Sequence, residues 1–303
     1  MHNGKFSRNF KVQKISLSLL LLVTGMWASQ IYSQETGKIF SDIRAALFAG
    51  KTDRALEIAA DGIKKYPNRA EPYYFRARIW DHQRKFERAL EDLNQAIEYN
   101  PRLADLWQLR GIVHFQLAKP KEAVSDFDQY LKYRPKEAPY HWQRGISLYY
   151  AKEFEKGVDQ FSNHKSVNPT DVENVFWHFL CQSKATSAVD AFSKLIPLKP
   201  GDVRIPMAEI HGLLTKENSV ESVIKKAEES GELLPAEKRN YLCYAHLYLG
   251  LYYEALGKNK LAKEHIKKAA VDYRQYHYMG DVARVHHILI NKNSKTKSGQ
   301  KFY

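Results

Sequence analysis

The stretch Ala104-Asp-Leu-Trp-Gln-Leu-Arg-Gly-Ile-Val-His-Phe-Gln-Leu-Ala-Lys-Pro-Lys-Glu-Ala-Val-Ser-Asp-Phe-Asp-Gln-Tyr-Leu-Lys-Tyr-Arg-Pro135 decides how the chain is read. It holds two runs of helical periodicity and closes on a proline, which cannot continue a helix. That proline recurs. Pro67, Pro101, Pro135 and Pro169 stand 34 residues apart, closing Lys-Lys-Tyr-Pro, Glu-Tyr-Asn-Pro, Lys-Tyr-Arg-Pro and Ser-Val-Asn-Pro. A period of this length marks stacked helix pairs, none of which buries its apolar face alone.

With each proline set at position 32, units begin at Thr36, Ala70, Ala104 and Ala138. Position 8 is then Ile43, Ala77, Gly111 and Gly145, and position 20 is Ala55, Ala89, Ala123 and Gly157. Small residues are needed where two antiparallel helices cross closely, because a larger side chain would part the backbones. Position 24, which is Ala59, Leu93, Phe127 and Phe161, fills the space beside that crossing.

This pattern resembles the tetratricopeptide family, whose consensus places Trp, Gly, Tyr, Ala, Phe, Ala and Pro at positions 4, 8, 11, 20, 24, 27 and 32. The third unit carries Trp107, Gly111, Ala123, Phe127 and Pro135 at these places. Unit 1 departs from the consensus at Ile39, Ala46 and Gly62, as a capping repeat does, and unit 4 has His164 at position 27. The resemblance implies an all-α fold: a right-handed superhelix of antiparallel helix pairs. After Pro169 the period fails, with helical runs at Asp171 to Lys184, Ala188 to Leu195, Met207 to Leu214 and Glu221 to Glu229. It returns with Gly250, Tyr253, Ala262, Ile266 and Ala269 as a fifth unit, and a closing helix is expected near Asp281 to Leu289.

The expected organisation is a signal segment (1–33), four repeats (36–169), an irregular helical segment (170–234), a last repeat with its capping helix (235–290), and a basic disordered tail (291–303). Arg144-Gly-Ile-Ser-Leu-Tyr-Tyr and Tyr248-Leu-Gly-Leu-Tyr-Tyr-Glu-Ala-Leu-Gly are also similar to a narrower group, the periplasmic repeat proteins of the new lipoprotein I type. That likeness implies a cell-envelope adaptor and a homodimer. No cysteine precedes Cys181, so the lipid-bearing cysteine of such proteins has no counterpart here.

Composition agrees with a folded chain: 44% of the 303 residues are hydrophobic and 27% charged. Lys5, Arg8, Lys11 and Lys14 precede an apolar run from Ile15 to Ala28, and no acid appears before Glu35. This is the layout of a secretory signal, cleaved between Ala28 and Ser33, with an uncleaved N-terminal anchor as the alternative. The run is shorter than the roughly 20 residues of a membrane span. The expected place is therefore the periplasm or the exterior, with no integral span after cleavage. The net charge of +13 includes four lysines after Ile290, and the repeat body carries only about +5. Nucleic acid is not an expected partner. A polyanion or membrane surface held by the tail is the alternative function. Cys181 and Cys243 lie nearly two repeats apart and are expected to be free, buried thiols.

No His-Glu-x-x-His, Gly-x-Ser-x-Gly, phosphate loop or Cys-x-x-Cys occurs, so neither an enzyme nor a cofactor is expected. His178 and Cys181 lie one turn apart without further metal ligands in view. Arg76, Arg110 and Arg144 share position 7, facing Asp92 and Asp126 at position 23, which reads as structural ion pairs or as a ladder for a partner. Gln160 at position 23 of unit 4 leaves Arg144 expected to be the freest of the three. Positions 5, 9 and 12 form a stripe on each first helix, expected to line the concave face. They include Tyr74, Arg78 and Asp81, then Gln108, Ile112 and Phe115, then Trp142, Ile146 and Tyr149, with Phe40, Arg44 and Leu47 in unit 1. Aromatics beside arginine suit a protein or peptide partner, such as an envelope enzyme, and burial under the helix after Asp171 is the other reading for Trp142 and Tyr149.

Overall fold

The computed structural model describes residues 34–230 and 235–298, all helix and turn with no strand among them. The signal segment and residues 299–303 lie outside the described residues. Two compact bodies are formed, one ending at Pro101 and the other beginning at Arg102.

The first body holds α1 (Gln34–Phe48), α2 (Thr52–Lys65), α3 (Ala70–His82) and α4 (Phe86–Tyr99). α1 packs on α2, and α3 on α4, as the period requires. The crossing positions Ala55, Ala77 and Ala89 are fully buried, with Ala59 and Leu93 beside them. Arg76 forks onto Asp92 with two hydrogen bonds of 2.7 and 2.8 Å, tying the first helix of its repeat to the second.

The second body begins with two more pairs: α5 (Ala104–Gln116) on α6 (Pro120–Tyr133), and α7 (Trp142–Ala151) on α8 (Phe154–His164). A Cβ at Gly111 would lie 2.5 Å from the Phe127 ring, and one at Gly145 would lie 2.6 Å from that of Phe161. These crossings admit no side chain. In the fourth repeat Pro135–Tyr140 forms a short 3₁₀ turn, and the first helix starts only at Trp142, because Pro135 and Pro139 break the run before it.

The non-repeat helices follow: α9 (Val172–Ala185), α10 (Ala188–Ser193), α11 (Met207–Thr215) and α12 (Val220–Glu229). α9 packs on α8 where a further repeat would begin, and Cys181 Sγ sits over Gly157, 2.6 Å from where its Cβ would be. Cys181 and Cys243 are buried free thiols, and burial pushes Cys243 up to about 12. The fifth unit is α13 (Pro235–Ala255) on α14 (Asn259–Lys267), with Ile266 pressed against Gly250. α15 (Tyr278–Ser298) closes the chain. It runs past the expected end at Leu289, so residues 291–298 are helix where a disordered tail was expected; Asn291 and Lys292 lie at its exposed end.

One turn is common to all five repeats. Gly50, Arg84, Ala118, Lys152 and Gly257, at position 15, adopt left-handed φ of 71°, 60°, 56°, 66° and 72°. The next amide reaches back five residues to a carbonyl at 2.8 to 3.0 Å, as in Lys85 N to Trp80 O and Glu153 N to Leu148 O. This closes the first helix and aims the chain into the second. Three of the five lack glycine, so the pairing of the helices holds them in a conformation that costs about 1 kcal/mol or more.

Candidate binding site

The stripe expected to face a partner divides between the bodies. In the first, Tyr74 is buried and half-buried Arg78 bonds its hydroxyl oxygen at 3.5 Å, while Asp81 ends the stripe half-buried. In the second body the stripe is not a free surface. Gln108 is held within the repeats: its amide donates to Gln143 at 2.8 Å, and its oxygen takes the Nε2 proton of His141 at 2.7 Å. His141 is neutral, because burial lowers its pKa to about 3 and its Nδ1 accepts from Arg144 N. Phe115 is 0% exposed and stacks on Tyr278 of α15 at 5.5 Å, while Trp142 meets the same ring edge-on at 4.9 Å. Tyr149 is 5% exposed and packs against Trp177 of α9. Phe115 and Tyr149 are thus core residues of the fold, correcting their expected role as partner anchors.

The final helix closes this face with polar ties as well. Gln116 Nε2 donates to Asp281 at 3.1 Å, and the Arg284 guanidinium donates to the Gln116 carbonyl. The Tyr150 hydroxyl meets His286 Nδ1 at 3.0 Å, and His286 Nε2 lies 3.0 Å from Glu254. Arg110 forks onto Asp126 at 2.7 and 3.0 Å. Arg144 is not the freest arginine: it binds Asp128 at 2.6 Å and Gln160 at 3.0 Å. Position 25 supplies the carboxylate that position 23 lacks.

What remains open is a cavity of about 610 Å³ between the fourth repeat, α9 and the start of α15. Trp142, Trp177, Tyr244 and Tyr278 wall it, and Tyr140, which is 56% exposed, stands at its mouth. Its polar end is the N-terminus of α9. There Asp171 accepts the Glu173 amide at 3.1 Å and Asp202 accepts the Val172 amide at 3.2 Å, satisfying amides that have no partner within the helix. Arg204 joins these groups. It bonds Asp171 and Asp202 at 2.6 Å and also Glu173, whose other oxygen accepts the Tyr248 hydroxyl.

The ionisation of this cluster follows from its packing. Burial works to raise Asp171 and Asp202, but His164 and Arg204 beside the first, and the hydrogen bond from Arg204 to the second, outweigh it and hold both below the usual range. For Glu173 burial prevails over the Arg204 charge and raises the carboxyl. Hydrogen bonding to Asp202 raises Arg204, which stays charged. Deeper in, Asn174 and Trp177, 3% and 1% exposed, line the same cavity, and neither Asn174 Oδ1 nor Trp177 Nε1 has a hydrogen-bond partner. A buried polar atom left so costs about 1 to 3 kcal/mol.

Sequence reasoning found Trp142 but not the rest of this site. Asp171 with Glu173 at a helix start was legible as a capping signal, whereas Arg204 and Tyr278 arrive from loops and helices far along the chain. Among the described residues no group of His, Cys, Asp and Glu is arranged to hold a metal, and His178 with Cys181 belongs to the packing of α9.

Residues 43–104 and 82–139 match the profile of the tetratricopeptide repeat. Among solved structures, a tetratricopeptide repeat protein from Parabacteroides merdae has a TM-score of 0.53 at 16% identity, covering 85% of this chain and 99% of that one. It shares the fold of stacked helix pairs. Two others are MamA of Desulfovibrio magneticus, with a TM-score of 0.47 at 15% identity over 54% of this chain and 94% of that one, and YrrB, described as having an unusual peptide-binding site, with 0.41 at 18% over 75% and 97%. No curated protein matches.

Proposed function

We propose that the protein is a non-catalytic adaptor of the cell envelope, exported by its N-terminal segment, which receives a segment of a partner protein in the cavity of its second body. Repeats of this kind serve as scaffolds for protein interaction. The observation that carries the reading is the cavity itself: aromatic walls, an open mouth at Tyr140, and polar atoms of Asn174 and Trp177 without partners. A void of about 300 to 1,000 Å³ with apolar walls and a few converging polar groups is the usual form of a ligand site. It supplants the repeat groove as the binding surface because Phe115 and Tyr149 are already covered by the chain itself.

The test places a photo-crosslinking amino acid at Tyr140 in cells, identifies what it captures, and repeats the binding with the purified partner. The expected result is a partner that binds wild-type protein and loses affinity for Trp142→Ala at a temperature where melting shows the variant to be folded. A partner captured equally well from Val271, an exposed residue that does not line the cavity, would overturn the reading. Export is read separately, from the N-terminus of the cellular protein. The implied homodimer is read by sedimentation of the exported form.

A further inference from the structure

The charge of the cavity is opposite to that of the chain. The protein is basic, at +13, yet at the polar end of this cavity the lining carboxylates Asp171 and Glu173, together with Asp202, which does not line it, converge on one guanidinium, that of Arg204. When all are ionised, two negative charges stand uncompensated. The nearest further cation is conditional: His164 Nε2 lies 3.8 Å from Asp171, and its Nδ1 donates to the Pro139 carbonyl at 2.8 Å, so the ring adds positive charge only when doubly protonated. His277 adds none, since burial lowers its pKa while its Nε2 donates to Asn240 and its Nδ1 accepts the Gly280 amide. Screening confines remote surface lysines to about 8 to 10 Å, so this local acidic field decides what enters.

Helix capping explains Asp171 and Asp202, and Arg204 and the Tyr248 hydroxyl hold Glu173, but two features are left unexplained. Asn174 Oδ1 is a buried acceptor without a donor, and Trp177 Nε1–H a buried donor without an acceptor, one turn further along the same wall. The aromatic faces of Trp142, Tyr244 and Tyr278 surround the remaining space. Aromatic rings, surplus negative charge and an unpaired acceptor are together complementary to a planar cation that carries several N–H groups. The unpaired indole N–H is complementary to a carbonyl beside that cation.

We propose that the cavity binds an arginine side chain of a partner peptide, with the guanidinium between the aromatic walls and the Glu173–Asn174 edge, and a peptide carbonyl taken by Trp177 Nε1. This rests on the adaptor reading and specifies the partner's chemistry. A lysine satisfies the charge but not the planar stacking, and a neutral or acidic side chain satisfies neither.

The test uses blocked tripeptides, acetyl-Gly-Xaa-Gly-amide, titrated calorimetrically into the exported form of the full chain with Xaa as arginine, lysine, citrulline or glutamate. The arginine peptide is expected to bind at least tenfold more tightly than the citrulline peptide, which keeps shape and loses charge, and severalfold more tightly than the lysine peptide. Its affinity falls as salt rises. Trp142→Leu and Asn174→Leu are each expected to weaken arginine binding severalfold, titrated at a temperature where melting shows both variants to be folded. Glu173→Gln removes the charge preference if the Arg204 cluster survives, and Asn174→Leu keeps the test valid if it does not. Equal binding of arginine and citrulline, binding that survives both leucine variants, or no binding of any peptide overturns the proposal. Partner capture at Tyr140 that persists when every partner arginine is replaced would sink this inference and leave the adaptor reading standing. Arginine binding without any partner capture would do the reverse.

Discussion

The two bodies solve the same packing problem with different residues. In the first, closely crossing helices bury Ala55, Ala59, Ala77, Ala89 and Ala96, and an arginine fork, Arg76 to Asp92, fixes α3 against α4. In the second, the largest buried side chains include Phe127 and Phe161, which keep the repeat register, and also Trp177, Tyr248, Phe115, Phe176 and Phe179, contributed by helices that lie far apart in sequence. Small residues make a contact that any repeat can copy, and the period carries it. Bulky rings need shape-matched neighbours, and α9 and α15, which supply several of them, carry no repeat register. The cavity exists only in this second kind of packing, where rings meet at angles and leave a space between them.

Several measurements would break or sharpen that contrast. Trp177→Ala removes a buried ring that touches Tyr149, Tyr150 and Phe161, and should cost about 3 to 5 kcal/mol in chemical denaturation. A smaller loss than at an alanine crossing would mean the aromatic body is loosely packed. Gly111→Leu overfills the space against Phe127 and should cost about 1 to 3 kcal/mol. A change below about 0.5 kcal/mol would show that the helices part freely.

Acid should weaken the second body through Glu254, whose burial works to raise it but whose contacts with His286 and Lys184 lower it to about 2. A carboxyl lowered on folding stabilises above its unfolded pKa near 4.3, and that contribution is lost as pH falls from about 5 to about 2. The expected loss is on the order of 2 kcal/mol, absent in Glu254→Gln, with thermal melts across this range as the readout. The smallest effect should be a gain. Ala118→Gly relaxes a left-handed residue in the common turn and should stabilise by about 0.5 to 1 kcal/mol, whereas Gly50→Ala at the same register should destabilise. The same destabilisation by Gly at Ala118 as at a right-handed loop alanine would mean that the turn is not strained.

The sequence alone determined the helix pairs and their order. Proline every 34 residues and small residues at two registers act between neighbours, so the period of the contacts is the period of the text. The arginine forks at Arg76 and Arg110 were legible for the same reason, since both partners lie within one repeat. Only the tertiary structure decided that Phe115 is covered by the chain's own last helix and that Trp142 walls a cavity beside it, because Tyr278 comes from more than 130 residues away and carries no repeat register. It also decided where the cavity lies. Arg204 sits in a loop without periodicity, and nothing in its neighbours foretells that it will meet Asp171 and Glu173 at the start of α9. Local patterns encode contacts that recur. A site assembled once, from a helix start, a distant loop and a closing helix, is set by how the whole body folds back on itself.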